Sequence, residues 1–145
     1  MYLFFHPKLW GKDVQLCGIP HIWHIEGLHI GRYVALNDKV SLQCVGGIYL
    51  GDCVTISYGC TILAAGLDSV DYPNRCMVKN RDHIFKSVTI GEGTWLCANV
   101  TVCPGVVIPP RFIIGAGAVV AKSLEMEGWL YAGFPAKPIR PLNKV

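Results

Sequence analysis

The chain has 145 residues and a formal net charge of +3, and its 16% charged content is well below the roughly 25% of an ordinary soluble domain. With 52% hydrophobic residues it cannot be a disordered chain, and its 13 Lys and Arg are scattered with no run of three, which argues against a nucleic-acid groove. So apolar a chain must hide most of its surface, inside one core or against copies of itself.

Met1 to Phe5 is too short for the apolar stretch of a signal peptide, and it stops at His6-Pro7. The longest weakly polar run, Phe112 to Ala121, is ten residues, half of what a spanning helix needs. The expectation is therefore a cytoplasmic protein with no stable membrane insertion. Seven Cys with no CxxC spacing favour neither a disulfide framework nor a zinc site, so the thiols read as small apolar residues.

Residues 1–27, with Trp10, His21, Trp23 and His24, read as an irregular N-terminal cap. A step of six then begins at Ile30, Leu36, Leu42 and resumes two residues out of phase at Leu50, Ile56, Ile62. Gly46-Gly47-Ile48-Tyr49 can absorb that offset. After a break the step returns as Ile90, Leu96, Val102, Ile108, Ile114, Val120. All six are branched aliphatics, although Ile, Leu and Val are only 41 of 145 residues, so a chance alignment is about 3 in 1,000. The fifth place of each hexad is mostly small or β-branched: Val34, Val40, Val54, Thr94, Val100, Val106, Ala118, with Cys60 and Phe112 as looser fits.

Six is neither the helical period nor the strict alternation of a flat strand. It fits a coil of short strands joined by tight corners, each hexad supplying one side and one inward anchor. Gly31, Gly51, Gly91 and Gly115 each follow an anchor, where corner conformations are expected. Stacked coils pair their backbones and merge their anchors into one apolar column. The fold class is an all-β parallel β-helix, a hexapeptide-repeat solenoid forming a single domain over residues 1–145. Residues 28–62 form its first coils, 63–87 an excursion loop, 88–121 the last coils and 122–145 a C-terminal tail, in which Ser123 to Glu127 reads as a turn or short helix.

An excursion of this length marks a functional segment. It carries Asp68, Asp71, Tyr72, Arg75, Lys79, Arg81, Asp82 and His83. A three-histidine zinc site on the β-helix would need ligands to converge, and His24 and His29 lie far along the chain from His83.

Val88-Thr-Ile-Gly-Glu-Gly-Thr-Trp95-Leu-Cys-Ala98, Pro104-Gly-Val-Val-Ile, Ile114-Gly-Ala-Gly-Ala-Val-Val-Ala-Lys122 and Ala132-Gly-Phe-Pro-Ala-Lys137-Pro-Ile-Arg140 resemble the hexapeptide-repeat acyltransferases. The branch is that of the maltose, galactoside and xenobiotic O-acetyltransferases and the capsular and lipopolysaccharide O-acetyltransferases. The resemblance covers about residues 28–142. It implies a left-handed helix, a homotrimer, and acetyl-CoA as co-substrate in a cleft between subunits, with no metal. It also implies direct transfer to an acceptor hydroxyl with a histidine as general base, which is His83 here. Imidazole suits that role because it titrates near neutral pH and can take a proton as the new bond forms.

The same resemblance makes Trp95, Ala98, Ala116, Ala121, Lys122, Lys137 and Arg140 cofactor-binding positions. Ala98 and Ala116 match small residues whose backbone groups hydrogen-bond the pantetheine. Relatives often carry Arg at the Lys137 position. Asn37, Asp68 and Tyr72 are candidate acceptor contacts. The acceptor implied is a sugar hydroxyl of a glycan or polysaccharide precursor. Acetylation of an amino sugar, or a non-catalytic trimeric scaffold, are the alternatives.

Overall fold

A computed structural model describes residues 12–70, 72–75, 77, 79 and 81–143. Short strands wind into a prism with three faces. Face 1 stacks β1 (Gln15–Cys17), β4 (Ala35–Asn37), β7 (Thr55–Ile56), β12 (Trp95–Leu96), β15 (Ile113–Ile114) and β17 (Trp129–Ala132), with β18 (Lys137–Pro141) antiparallel at its edge. Face 2 stacks β2 (His21–Trp23), β5 (Ser41–Gln43), β8 (Thr61–Leu63), β13 (Thr101–Val102) and β16 (Val119–Val120). Face 3 stacks β3 (Leu28–Ile30), β6 (Ile48–Leu50), β11 (Val88–Ile90) and β14 (Val107–Ile108). Within each face, consecutive coils pair in parallel. Together the three faces make a left-handed parallel β-helix.

The period of six explains the core. Ile90, Leu96, Val102, Ile108, Ile114 and Val120 are all 0% exposed. Leu36, Ile56, Leu96 and Ile114 stand one above another on face 1, and Leu42, Ile62, Val102 and Val120 do the same on face 2. Burying each such side chain contributes about 1.5–3 kcal/mol, so the column is the main source of stability. Cys60 and Phe112, the looser fits, are also buried in the corners. Thr94 is buried there too, its hydroxyl donating to the Pro109 carbonyl at 3.2 Å.

The corner glycines act differently from expectation. Left-handed backbone between faces 3 and 1 falls on Tyr33, Cys53, Gly93, Arg111 and Gly128, not on Gly31, Gly51 or Gly91. Those last three are where coils touch. A Cβ on Gly51 would sit 2.6 Å from the Glu92 nitrogen, and one on Gly91 would sit 2.4 Å from the Pro110 nitrogen.

Three boundaries also differ. The cap expected through residue 27 already carries β1 and β2, which pair in register with β4 and β5. Its polar and aromatic residues point outward, which masked Leu16 and Ile22 as anchors. Residues 1–11, including Trp10, lie outside the described residues. The excursion has structure of its own, an antiparallel hairpin of β9 (Ala65–Leu67) and β10 (His83–Phe85). The tail forms strands β17 and β18; β17 continues the ladder, with Tyr131 above Ile114. Among the described residues no helix is long and apolar enough to cross a membrane.

Candidate active site

The excursion leaves the prism at the corner between faces 2 and 3. Its mouth is closed by a hydrogen bond from the Lys86 N–H to the Ala64 carbonyl at 3.0 Å, and the Val88 N–H then donates to Gly47 at 3.0 Å. This is the corner where the two extra residues of the lower coils sit, as a 3-10 turn over Cys44–Gly46. Above the mouth the hairpin sets His83 opposite Leu67. The His83 ring is exposed and lies nearly parallel to Phe85, 6.4 Å away and tilted 13°. Among the described residues nothing hydrogen-bonds or ion-pairs with that ring.

The rest of the excursion braces the chain leading into His83. The Asp82 carboxylate pairs with Arg75, and the Asp82 carbonyl accepts the Asp68 N–H at 2.9 Å. Asp68 in turn accepts the Val70 N–H at 2.9 Å. The Arg81 guanidinium lies over the Tyr72 ring at 5.0 Å. Asp68 and Tyr72, expected as acceptor contacts, are thus engaged within the excursion.

The small-residue positions occupy the corner between faces 1 and 2. There Asp38, Tyr58 and Ala98 each accept a hydrogen bond from the coil above: Gly59 to Asp38 at 3.1 Å, Asn99 to Tyr58 at 2.9 Å, Gly117 to Ala98 at 2.9 Å. Ala116 is the top member of this column. The ladder uses the N–H groups of Cys97, Asn99, Gly115 and Gly117, and passes over those of Ala98 and Ala116. Both N–H groups lack a partner among the described residues. A Cβ on Gly117 would meet nothing within 4 Å, so the corner is open. The tail turns back above it, where the Ala136 N–H donates to Val119 at 2.9 Å, and this puts Lys137 opposite Ala132 at the top of the same edge.

The remaining candidates are spread more widely. Trp95 stands outward on face 1, with its indole N–H donating to the Ser57 hydroxyl at 2.9 Å. Arg140 pairs with Leu130 on the top rung of that face. Ala121 and Lys122 are exposed where the chain leaves β16, across face 2 from Ala116. Asn37 lies on face 1 two rungs below Cys97, its amide donating to the Ile56 carbonyl at 3.0 Å. One chain therefore gathers Ala98, Ala116 and Lys137 on one corner and keeps His83 at another, with face 2 between them.

Burial pushes the Cys60 and Cys97 thiols above their ordinary pKa, and Cys60 donates to the Cys97 carbonyl at 3.0 Å. Cys60 is thus a protonated packing group of the corner, while Cys97 stands partly exposed in the outward column. His24 bonds Glu26 at 2.9 Å, and His29 stacks on Tyr49 at 4.4 Å. Among the described residues no three metal-ligating side chains come together.

Sequence reasoning overlooked Ser57. Its signal was positional: it stands in the outward column with Asn37 below and Cys97 above, which only the coil register reveals.

No protein-family model matches the chain. It is 31% identical over 116 residues to a galactoside O-acetyltransferase of Escherichia coli (strain K12), covering 80% of this chain and 55% of that one. Two other proteins of that strain are provisionally named for O-acetyl transfer in lipopolysaccharide biosynthesis (44% identical, covering 90% of this chain and 59% of the relative) and for acetyl transfer in colanic acid biosynthesis (33%, 90% and 67%). The chain thus spans a little over half the length of the first two relatives. Among solved structures it superposes on a hexapeptide-repeat acetyltransferase of Vibrio cholerae in complex with acetyl coenzyme A, with a TM-score of 0.78, 25% identity, and coverage of 90% of this chain and 70% of that one. With the repeat, the prism and these likenesses together, the chain belongs to the hexapeptide-repeat acyltransferases, in the branch of the galactoside, maltose and cell-surface-polysaccharide O-acetyltransferases.

Proposed function

We propose that the chain is an acetyl-CoA-dependent O-acetyltransferase acting on a sugar hydroxyl of a glycan or polysaccharide precursor, with His83 as general base. The observation that carries this reading is the corner of Ala98 and Ala116. Two unpaired N–H groups beside methyl side chains, open to solvent, suit a chain of amides such as pantetheine, and Lys137 above them suits its phosphates. When bound, the co-substrate would supply the acetyl group as a thioester.

His83 supplies the proton chemistry. As the acceptor oxygen bonds to the carbonyl carbon, its proton passes to the imidazole. As the carbon–sulfur bond breaks, the same proton goes to the departing sulfur. An exposed ring with no hydrogen bond among the described residues is placed to take that proton. Because face 2 separates His83 from Ala98, we assign the complete site to two subunits of a homotrimer, one giving the imidazole and the other the small-residue corner. A cytoplasmic location goes with the use of acetyl-CoA.

The test is acetyl transfer from labelled acetyl-CoA to candidate glycans by wild type and His83→Ala. Transfer as a hydroxylamine-labile ester, falling by about 10²–10⁴-fold in the variant, is expected. Undiminished transfer removes His83 from the role. A hydroxylamine-stable amide makes the acceptor an amine. Failure to bind coenzyme A at millimolar concentration supports a scaffold instead.

A further inference from the structure

A groove of about 1000 Å³ lies away from the Ala98 corner, at the edge between faces 3 and 1, running from Trp95 to the returning tail at Leu142 and Asn143. We propose that this groove is a subsite for neutral saccharide, holding the sugar units that flank the one being acetylated. The proposal rests on the acceptor being a glycan.

The walls carry the argument. Trp95 and Trp129 both line the groove, and the corner between them is Gly93, Arg111 and Gly128, one residue per coil. Two coil spacings make that corner about 9–10 Å tall. The indole of Trp95 is fixed by its bond to Ser57, so it presents a set face and loses little freedom on binding. Ile113 and the two glycines add lining with no polar side chain. An aromatic wall beside such a lining matches the C–H face of a pyranose ring.

The rim is polar and electrically balanced. Arg111 and Glu127 pair at 3.1 Å while their side chains remain 70% and 49% exposed. Each keeps donors or acceptors for hydroxyl groups, and Asn143 adds an amide. Because the two charges cancel, the rim favours a hydroxyl-rich neutral ligand over a phosphate or a polyanion. The volume lies at the upper end of the roughly 300–1,000 Å³ of drug-sized ligand pockets, enough for more than one ring.

Continuity with the proposed active site sets the direction. Trp95 belongs to the groove, and through Ser57 it touches the outward column of Asn37, Ser57 and Cys97, which runs beside Ala98. The crossing is one strand wide, about 10 Å. A glycan lying in the groove would bring its next sugar to that column.

Saturation-transfer NMR with maltotriose and triacetylchitotriose, without acetyl-CoA, tests the groove independently of catalysis. At least one trisaccharide should bind wild type and His83→Ala alike, and Arg111→Ala and Glu127→Gln should weaken it about tenfold. Trp129→Phe should retain binding and Trp129→Ala should lose it; the Arg111 and Glu127 variants, being on the rim, guard against misfolding of the latter. In transfer assays Arg111→Ala should raise KM for a trisaccharide acceptor and leave KM for acetyl-CoA unchanged. Binding of neither saccharide, binding indifferent to the rim variants, or burial of Trp129 by a second copy in solution overturns the subsite. Saccharide binding without any acetyl transfer would instead overturn the enzymatic reading and leave the groove standing.

Discussion

The indole N–H of Trp95 donates to the hydroxyl of Ser57 in the coil below, at 2.9 Å. Trp95 stands above Thr55 in the ladder, so the bond runs diagonally across face 1 and ties two coils together outside the core. Ser57→Ala should cost about 1 kcal/mol and free the indole to change rotamer. The expected outcome is a drop of a few degrees in Tm, a changed Trp emission spectrum and weaker trisaccharide binding in the groove that Trp95 lines. Unchanged saccharide binding with a higher KM for acetyl-CoA would place Trp95 against the cofactor instead.

Ala116 is exposed at the top of the corner column, so a larger side chain there can extend into solvent. Ala116→Leu should therefore leave stability within about 0.5 kcal/mol. Affinity for coenzyme A should nevertheless fall at least tenfold, because the added atoms fill the strip beside the free N–H groups. Calorimetric titration of coenzyme A into the variant reads this directly. Equal affinity in the two proteins would move the cofactor away from this corner.

The core was legible in the sequence because an inward position must be apolar in every coil. Ile90 through Val120 is a run of anchors with no insertion, and each was read in its right place. Leu16 and Ile22 keep the same step, but two extra residues in the corner between Ile22 and Ile30, at the 3-10 turn Ile25–Gly27, break the phase there, as the turn Cys44–Gly46 does between Leu42 and Leu50. Upstream of that slip the surrounding His and Trp residues hid a genuine coil. At the other end Tyr131 follows Ile114 by 17 residues, one short of three hexads, so β17 fell outside the count. The site was less legible for a different reason. Outward residues are not constrained to one chemistry, so Ser57, Arg111 and Trp129 acquire meaning only when the register stacks them.

Gly46 shows how the insertion serves the excursion. A Cβ there would lie 2.0 Å from the Ala64 carbonyl oxygen and 2.9 Å from the Lys86 nitrogen, the pair whose hydrogen bond closes the excursion's mouth. Both atoms are backbone, so neither can yield without breaking that bond. Gly46→Ala should destabilise the fold by about 2 kcal/mol or more and raise hydrogen exchange at Lys86. A variant as stable as wild type, with Lys86 still protected, would contradict the close approach.

Arg75 and Asp82 provide a subtler test, because their side chains are 35% and 63% exposed. An ion pair so placed contributes only about 0–1 kcal/mol to global stability. Its larger effect should be local, since Asp82 directly precedes His83 and also holds Asp68 through its carbonyl. Arg75→Ala is expected to keep Tm within a few degrees, lower kcat several-fold, and speed proteolysis within the excursion. Arg75→Lys should recover part of kcat by restoring the charge. Wild-type kcat in Arg75→Ala would show that the hairpin alone positions His83.

Two thiols, Cys60 buried and Cys97 partly exposed, give a pH prediction whose sign follows from proton binding. Burial is the largest cause of the raised pKa of Cys60, against its ordinary value of 9.0, and the same cause raises Cys97. Above the ordinary thiol range an unfolded chain loses these protons while the folded chain keeps them. The folded state then binds more protons than the unfolded one, so stability must fall as pH rises through that range. Below it both states are protonated and the two thiols contribute no slope. Denaturant unfolding at pH 8 and pH 10 should show this loss in wild type, and Cys60→Ala, though less stable throughout, should lose less between the two pH values. Native-state labelling at pH 8 should reach exposed Cys17 and Cys53 well before Cys60. Labelling of Cys60 as fast as Cys53 would mean that the corner opens to solvent, and the predicted slope should then vanish with it.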